Sequence, residues 1–274
     1  MIITGATSGV GRATATALAG AGARVVMAVR NPTKGSATAA AILADHPAAR
    51  VETRPLDLAD LASVRAFADG WTDPVDVMIN NAGVMATRRS ETVDGFELQL
   101  GTNHLGHALL TDLLLPRITD RVVVVASDAH RFARLDLDDP QWLRRRYRPF
   151  AAYGASKLAN LLFTLALDRR LRDGGRRAVA VHPGWVSTDL GVGQHGMAAT
   201  RVSHLLGSVF GQAPADGARP SLVAATQDLP GGSYVGPDGW GANRGTPTLL
   251  GRSAAAADTE LAERLWELTA ELIG

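Results

Sequence analysis

Short β-branched runs alternate with longer alanine- and leucine-rich segments along the chain, and this alternation constrains the fold more than any other feature. The apolar runs occupy 1–3, 24–29, 50–56, 75–79, 121–127, 177–183 and 233–236. The segments of helical period occupy about 10–20, 33–45, 60–70, 95–115, 152–172, 215–227 and 257–272. Apolar strands separated by helices indicate a parallel sheet covered on both faces. We predict a single α/β domain with a doubly wound, mostly parallel, seven-stranded sheet.

Two segments interrupt this rhythm, an insertion at about 128–150 and a glycine-rich stretch at about 189–214. Both follow predicted strands and are therefore expected at the carboxyl edge of the sheet, where open α/β folds bind ligands. The second segment carries apolar residues at helical spacing between glycines, which predicts a mobile lid over a substrate. The first strand is unusually short for a central one, so we expect its true start upstream of Met1.

The composition excludes several classes of site. The chain of 274 residues has no cysteine, which excludes disulfides, thiolate metal centres and a cysteine nucleophile. Its net charge of +1 provides no overall field for nucleic acid or an anionic membrane. The N-terminus lacks the pattern of a signal peptide, and no apolar run approaches the roughly 18 residues of a membrane span. We expect a cytoplasmic protein without a bound metal, a membrane span or a nucleic-acid partner.

The stretch TGATSGVG, residues 4–11, joins the first strand to the first helix. Glycines at these places allow a tight turn and let the backbone approach a pyrophosphate at the positive end of the helix. A glycine turn without a ligand is the alternative, but the strand–turn–helix context favours a Rossmann-type dinucleotide site. The residues expected to contact the cofactor in this turn are Gly5, Thr7, Ser8, Gly9, Val10 and Gly11.

The end of the second strand predicts which dinucleotide binds. Sites that prefer NAD usually place a carboxylate there for the ribose 2′-hydroxyl. This chain has Arg30, followed by Lys34 and no acid nearby. A planar guanidinium suits a 2′-phosphate, so we predict NADP(H) in preference to NAD(H), with a free surface arginine as the alternative. Asp57, followed by Leu58 at the end of strand 3, is placed to meet the adenine amino group.

Six motifs in order resemble the short-chain dehydrogenase/reductase family: TGATSGVG, NNAG (80–83), TNHLGHALLT (102–111), VVVVAS ending at Ser127, YGASK (153–157) and HPGWVST (182–188). Within that family, VRNPTKG, YGASKLANLLF and VHPGWVSTDL are similar to the retinol-dehydrogenase-like branch. The resemblance implies an NADP(H)-linked enzyme that acts on apolar alcohols and carbonyls. It also implies a homodimer or homotetramer.

Tyr153 and Lys157 carry the predicted chemistry. Hydride transfer to a carbonyl builds negative charge on oxygen, so the site needs a proton donor and a polar partner for that oxygen. A lysine four residues after a tyrosine lies on the same helix face and can lower the phenol pKa. Only 2 of the 28 basic residues are lysines, which makes this pairing uncommon by chance. Tyr153 is the predicted general acid/base, Lys157 tunes it, and Ser127 binds the reacting oxygen.

The resemblance adds further residues to the site. It implies that Asn103 holds a water in a proton relay from Lys157. Taken alone, Ser127 would be read as a turn or cap residue and Asn103 as a polar helix residue. Around the nicotinamide we expect Asn81, Ala82, Gly83, Tyr153, Lys157, Pro183, Gly184, Val186 and Thr188. The substrate is expected against Met85, Ser127, Tyr153 and Trp185.

The insertion carries RRRYR (144–148), with Arg131 and Arg134 upstream. Asp136, Asp138 and Asp139 lie in the same segment, so a solvated loop with mixed ion pairs is the favoured interpretation. The alternative, a carboxylated or phosphorylated substrate that contacts these arginines, stays open.

Two rival functions also fit parts of the sequence. A regulator that senses NADP(H) without catalysis has no need for Asn103, Ser127, Tyr153 and Lys157 together. A C=C double-bond reductase of the protochlorophyllide type shares much of the pattern. That relative implies a cysteine proton source, which this chain lacks.

Overall fold

The structure is a computed structural model, and it describes residues 1–186 and 212–274. Eight strands form one sheet: β1 to β8 are Ile2–Thr4, Arg24–Val29, Arg50–Pro55, Val75–Asn80, Ile118–Val125, Arg177–Val181, Tyr234–Pro237 and Pro247–Leu249. Their order in the sheet is β3-β2-β1-β4-β5-β6-β7-β8. Strands β1 to β7 pair in parallel. The predicted doubly wound, mostly parallel α/β sheet is confirmed.

The predicted number of seven strands is wrong, because an eighth strand pairs antiparallel with β7. Strand β8 has three residues, begins at a proline, and exposes Thr248 and Leu249 to solvent. Proline is tolerated at the start of an edge strand, where its missing N–H costs no ladder bond. A run this short has neither the alternation nor the continuous apolar character from which strands are predicted.

Nine helices flank the sheet in the described ranges: α1 to α9 are Gly9–Gly20, Pro32–Asp45, Leu61–Asp69, Leu98–Leu100, Gly106–Leu114, Pro149–Leu171, Pro214–Thr226, Ala254–Ala257 and Thr259–Ile273. One apolar core lies between the sheet and α3, α5, α6 and α9. A second core lies between the opposite face and α1, α2 and α7. The predicted helix at 95–115 is interrupted by a π-helical turn at Gly101–Leu105.

Helix α6 packs against the sheet and against α9, and most of its residues are buried. By length and composition alone, the helical stretch Pro149–Gly174 is apolar enough to cross a membrane. However, 83% of its apolar window is buried inside the protein. A helix that is apolar on every side is also typical of the core of a large domain. The stretch is therefore weak evidence for a membrane span.

The strand order reverses between β1 and β4, which places the topological switch point at the carboxyl ends of these two strands. Open α/β sheets bind ligands in the crevice at such a point. The glycine turn follows β1, and the segment that begins at residue 128 follows β5 at the same edge. The fold therefore brings the predicted cofactor and catalytic motifs to one side of the sheet.

Candidate active site

The glycine turn after β1 is shaped to receive an anion. Gly5 and Gly9 have φ values of 66° and 52°, in the region that favours glycine. Helix α1 begins at Gly9, so the N–H groups of its first turn have no acceptor within the helix. The Ser8 side chain makes no capping hydrogen bond to them. A Cβ at Gly11 would collide with the Gly5 carbonyl oxygen, which shows how closely the turn and helix approach.

Thr4, the last residue of β1, joins this turn to the loop after β4. Its Oγ1 accepts hydrogen bonds from the backbone N–H groups of Asn81 and Ala82, each at 2.9 Å. The Asn81 side chain donates to the Thr4 carbonyl oxygen at 2.8 Å. Asn81 and Ala82 thus hold the glycine turn in place. The loop after β4, which was predicted to contact the cofactor, therefore lies next to the glycine turn. The Asn81 side-chain amide is already hydrogen-bonded to the backbone there.

His107 extends this network into α5 and was not predicted from the sequence. The Thr4 hydroxyl lies 2.8 Å from His107 Nε2 and 3.4 Å from the Ile79 carbonyl oxygen. His107 Nδ1 lies 3.1 Å from the Asn103 carbonyl oxygen and must be the protonated nitrogen there. Nε2 therefore accepts from Thr4. Burial lowers the pKa of His107 to about 3, which keeps the ring neutral. The spacing of Asn103 and His107, one helical turn apart, was the available signal.

Asn103 lies in the π-helical turn and is completely buried. Its Oδ1 accepts from the Val84 N–H at 2.8 Å, and its Nδ2 donates to Val84 O and Ser156 Oγ at 3.0 and 2.9 Å. A Cβ at Gly83 would lie 3.1 Å from Asn103 Oδ1 and 3.6 Å from Lys157 Nζ. The structure therefore brings Asn103, Gly83 and Lys157 together. π-Helical turns of this kind are frequent at functional sites.

Ser127, Tyr153 and Lys157 meet at the carboxyl end of β5. Ser127 caps the 3-10 turn Asp128–Phe132 by accepting from the Ala129 N–H at 3.3 Å. Its side chain also acts to lower the pKa of the Tyr153 phenol. Lys157 Nζ donates to the Val125 carbonyl oxygen at 3.0 Å and lies 5.7 Å from the Tyr153 ring centroid. The interpretation of Ser127 as a cap residue therefore describes this conformation, and its bond to the reacting oxygen stays a prediction.

Burial dominates the titration of this pair. It raises the pKa of the Tyr153 phenol, and the Ser127 side chain opposes that shift. It lowers the pKa of Lys157 to about 8. The direction at Tyr153 differs from the prediction that Lys157 lowers its pKa. The reason is that desolvation penalises the phenolate while the ammonium points at the Val125 carbonyl oxygen. Tyr153 is therefore a protonated phenol at neutral pH.

The end of β2 presents Arg30 as an exposed side chain. Within the described parts of the chain it makes no ion pair or hydrogen bond, so its guanidinium is available. Asn31 caps α2 by accepting from the Lys34 N–H at 3.0 Å, which fixes this βα junction. Asp57 accepts from the Ala59 N–H at 2.9 Å, and the neighbouring Leu58 is buried. Asp57 thus shapes its own turn and retains one carboxylate oxygen for another partner.

The loop after β6 carries the remaining predicted residues. Gly184 has a φ of 76°, and Trp185 donates its N–H to the Asn243 carbonyl oxygen at 3.0 Å while 59% of Trp185 stays exposed. Pro183 and Val186 line the space that a Cβ at Gly217 would fill, beside Val10 of the glycine turn. Thr188 and nearly all of the predicted lid, residues 189–211, lie outside the described residues.

Met85 lies in the loop after β4, which side chains of the α4 region hold in place. Asn103 Oδ1 accepts a hydrogen bond from the N–H of Val84, the residue before Met85. Gln99 Oε1 accepts one from the N–H of Ala86, the residue after it, at 2.8 Å. Gln99 Nε2 in turn donates to Tyr147 Oη at 2.7 Å. The loop with Met85 and the insertion are thus fixed by the same amide. This link was not predictable from the sequence, because no motif surrounds Gln99.

Comparison with known proteins assigns the family. The family model of the short chain dehydrogenases matches residues 1–137. The chain belongs to the short-chain dehydrogenase family. Retinol dehydrogenase 12 of Mus musculus is 41% identical over 290 residues, covering 100% of this chain and 86% of that protein. The predicted retinol-dehydrogenase-like branch is confirmed, and with it an oxidoreductase that uses a nicotinamide cofactor.

Solved structures agree with this assignment. A protein of unknown function from Mycobacterium paratuberculosis is 48% identical, with a TM-score of 0.83 over 99% of this chain and 92% of that one. An NAD(P)-dependent gluconate 5-dehydrogenase from Beutenbergia cavernae, with bound NADP, is 26% identical, with a TM-score of 0.64. That match covers 85% of this chain and 92% of the other.

Proposed function

We propose that this short-chain dehydrogenase is an NADP(H)-dependent oxidoreductase that interconverts an apolar ketone or aldehyde and its alcohol. The observation that carries the proposal is the meeting of Ser127, Tyr153 and Lys157 at the sheet edge that also carries the glycine turn. The name of the retinol dehydrogenase relative supports an apolar alcohol or aldehyde as substrate.

Tyr153 is the proposed proton donor to the carbonyl oxygen. A phenol whose pKa is raised by burial is fully protonated at neutral pH, as carbonyl reduction requires. Ser127 acts on the pKa of the same phenol, and its hydroxyl can share the carbonyl oxygen with it. Two donors that converge on one oxygen stabilise the negative charge that develops there.

Lys157 and Asn103 are proposed to act after Tyr153 has given up its proton, by stabilising the phenolate and by returning a proton to it. The ammonium, 5.7 Å from the phenol ring centroid, stabilises the phenolate that remains. Asn103 holds the loop through Val84 and lies close to Gly83, beside Lys157 Nζ. We propose that this polar corridor, with an ordered water, returns a proton to the phenol from solvent.

The residues present fit a nicotinamide dinucleotide. The free N–H groups of the first turn of α1 suit a pyrophosphate, and Arg30 suits a 2′-phosphate. Pro183 and Val186 lie near Val10 of the glycine turn, around Gly217. When bound, the nicotinamide supplies or accepts the hydride. NADP in the solved dehydrogenase from Beutenbergia cavernae supports this choice of cofactor.

Arg30→Asp tests the preference for NADP(H). The substitution replaces a guanidinium by a carboxylate where the 2′-phosphate is proposed to bind. We expect the Kd for NADPH to rise about a hundredfold, since a charged hydrogen bond is lost and a repulsion is added. The Kd for NADH should change by less than about threefold. Fluorescence titration with both cofactors measures this, and equal effects on the two would contradict the preference.

Turnover tests the function itself. Purified protein with NADPH is tested against a panel of apolar aldehydes and ketones, and with NADP against the matching alcohols. We expect consumption of NADPH with at least one carbonyl class. Tight NADPH binding without turnover of any compound would instead favour the non-catalytic regulator.

A further inference from the structure

The segment between β5 and α6, together with the first turn of α6, forms a groove of about 390 Å³. Cavities of this size accommodate small ligands. Its lining combines apolar and cationic side chains: Phe132, Trp142 and Ala151, with Arg134, Arg145, Arg146 and Arg148. The catalytic proposal does not use any of them.

Three of these arginines have no acidic partner among the described residues. The side chains of Arg134, Arg146 and Arg148 make no ion pair or hydrogen bond to any described residue of the chain. Arg145 differs, since it pairs with Asp136 at 3.7 Å and with Asp139 at 3.5 Å.

The acids of the segment are largely occupied elsewhere. Asp139 also accepts from the backbone N–H of Leu143 at 2.7 Å. Asp128 pairs with Arg131 at 2.7 Å, away from the groove lining. Asp138 is the exposed acid that remains. The expected solvated loop with mixed ion pairs therefore describes only part of the insertion, and three guanidinium groups face one groove without acids.

The aromatic wall of the groove is fixed. Trp142 is buried and has a φ of 56°, a strained conformation for a bulky residue that persists only where surrounding contacts impose it. Arg145 stacks on the Trp142 ring at 3.8 Å from its centroid. Tyr147 packs edge-on against Trp142 at 5.7 Å and donates to Glu97 Oε1 at 2.8 Å. A wall held in this way needs little reordering when a ligand binds.

The groove and the proposed reacting centre share two elements that pack against each other, the 3-10 turn Asp128–Phe132 and helix α6. Phe132 ends the 3-10 turn that Ser127 caps, and Ala151 lies two residues before Tyr153 on α6. Phe132 is 92% exposed, which is unusual for a large apolar side chain. Phe132 thus offers exposed apolar surface on the turn that Ser127 caps, within the groove that the arginines also line.

We propose that the groove binds the anionic end of an amphipathic substrate, a carboxylate or phosphate joined to the apolar body whose carbonyl meets Tyr153. The proposal rests on the proposed function and adds a substrate class to it. Guanidinium groups recognise both anions through paired hydrogen bonds. A concave groove with a fixed aromatic wall favours a small ligand over a flat anionic lipid surface.

Binding of unreactive ligands tests the groove without catalysis. Dodecanoate and dodecyl phosphate should raise the Tm of the wild-type protein more than 1-dodecanol does, because a ligand that binds only the folded state stabilises it. The double variant Arg146→Ala/Arg148→Ala should bind the two anions at least about tenfold more weakly, with 1-dodecanol unaffected. Arg264→Ala removes an exposed arginine of α9 and is the matched control. The anion that gives the larger shift identifies the headgroup. Equal shifts for anions and alcohol would overturn the proposal.

Kinetics with a matched pair separates this proposal from the proposed function. An ω-oxo fatty acid and its methyl ester differ only in the distal charge. We expect kcat/KM to be at least about tenfold higher for the acid, and the double variant to remove the difference while the ester is unaffected. Turnover of acid and ester at equal rates would overturn the anion site and leave the proposed function standing. Binding of dodecanoate without turnover of either compound would overturn the proposed function and leave the anion site standing.

Sedimentation with anionic phospholipid vesicles provides the remaining comparison. Wild-type protein that sediments with these vesicles, loses this in the double variant and shows no preference for the acid would overturn the proposal in favour of a membrane-facing surface. Absence of sedimentation, together with the acid preference, would support the groove as a substrate site.

Discussion

Replacing Tyr153 with phenylalanine is expected to lower kcat for carbonyl reduction by about a thousandfold, since a positioned general acid contributes about 10² to 10⁴ to the rate. The phenol hydroxyl is the proposed proton donor, and Ser127 alone cannot replace it at neutral pH. The Kd for NADPH should change by less than about threefold, because the proposed cofactor contacts of the glycine turn and Arg30 remain. Steady-state kinetics and a fluorescence titration measure the two quantities.

Tyr234→Phe is the matched control for this variant. Tyr234 is a buried tyrosine near the site whose hydroxyl has no hydrogen-bond partner among residues 1–186 and 212–274. Its loss should leave kcat within about twofold, since no satisfied bond is broken. Full activity in Tyr153→Phe, or equal losses in both variants, would contradict the assignment of Tyr153 as the proton donor.

Lowering the pH from 7 to 5 is expected to reduce the free energy of unfolding by about 4 kcal/mol through two buried histidines. Burial lowers the pKa of His104 to about 4 and that of His107 to about 3. Both values lie below the ordinary value of 6.5, so the unfolded chain binds protons that the folded protein does not. The stability is present above pH 6.5 and is lost as the pH falls towards 4. Each ring accounts for about 2 kcal/mol of the loss in the free energy of unfolding at pH 5.

Urea unfolding of variants isolates this effect. In His104→Gln one titrating ring is removed, so the loss between pH 7 and pH 5 should shrink by about 2 kcal/mol. Thr269→Val removes the hydroxyl that lies 2.8 Å from His104 Nε2 and keeps the ring. This control should lower stability at both pH values while the pH dependence stays as in the wild type. An unchanged pH dependence in His104→Gln would show that His104 does not contribute.

Strands and helices with a strong pattern were predictable almost to the residue. The run at 24–29 is strand β2, and the segments near 10–20 and 33–45 are helices α1 and α2. Their apolar periods reflect burial against one sheet. Strand β8 was missed because its three residues are held by pairing with β7, and pairing leaves no pattern in a single short run.

The candidate site was predictable where one motif supplies several groups. Tyr153 and Lys157 share a helix face, and Ser127 follows strand β5 at the edge where that helix begins. The contacts that hold these groups come from residues far apart in sequence, such as Thr4 with His107 and Gln99 with Tyr147. Those pairs are brought together only by the topology of the sheet. The pKa of Tyr153 also depends on burial, which a sequence motif does not reveal.

Deuterium transfer tests the central claim, reduction of a carbonyl group, most directly. The protein is incubated with an apolar α,β-unsaturated aldehyde and NADPH that carries deuterium at the transferred position of nicotinamide C4. The position of the deuterium in the product is then determined by mass spectrometry and NMR. We expect deuterium on the carbinol carbon of an allylic alcohol, made by wild-type protein and not by Tyr153→Phe. Deuterium on the β-carbon of a saturated aldehyde would contradict carbonyl reduction and identify a C=C reductase.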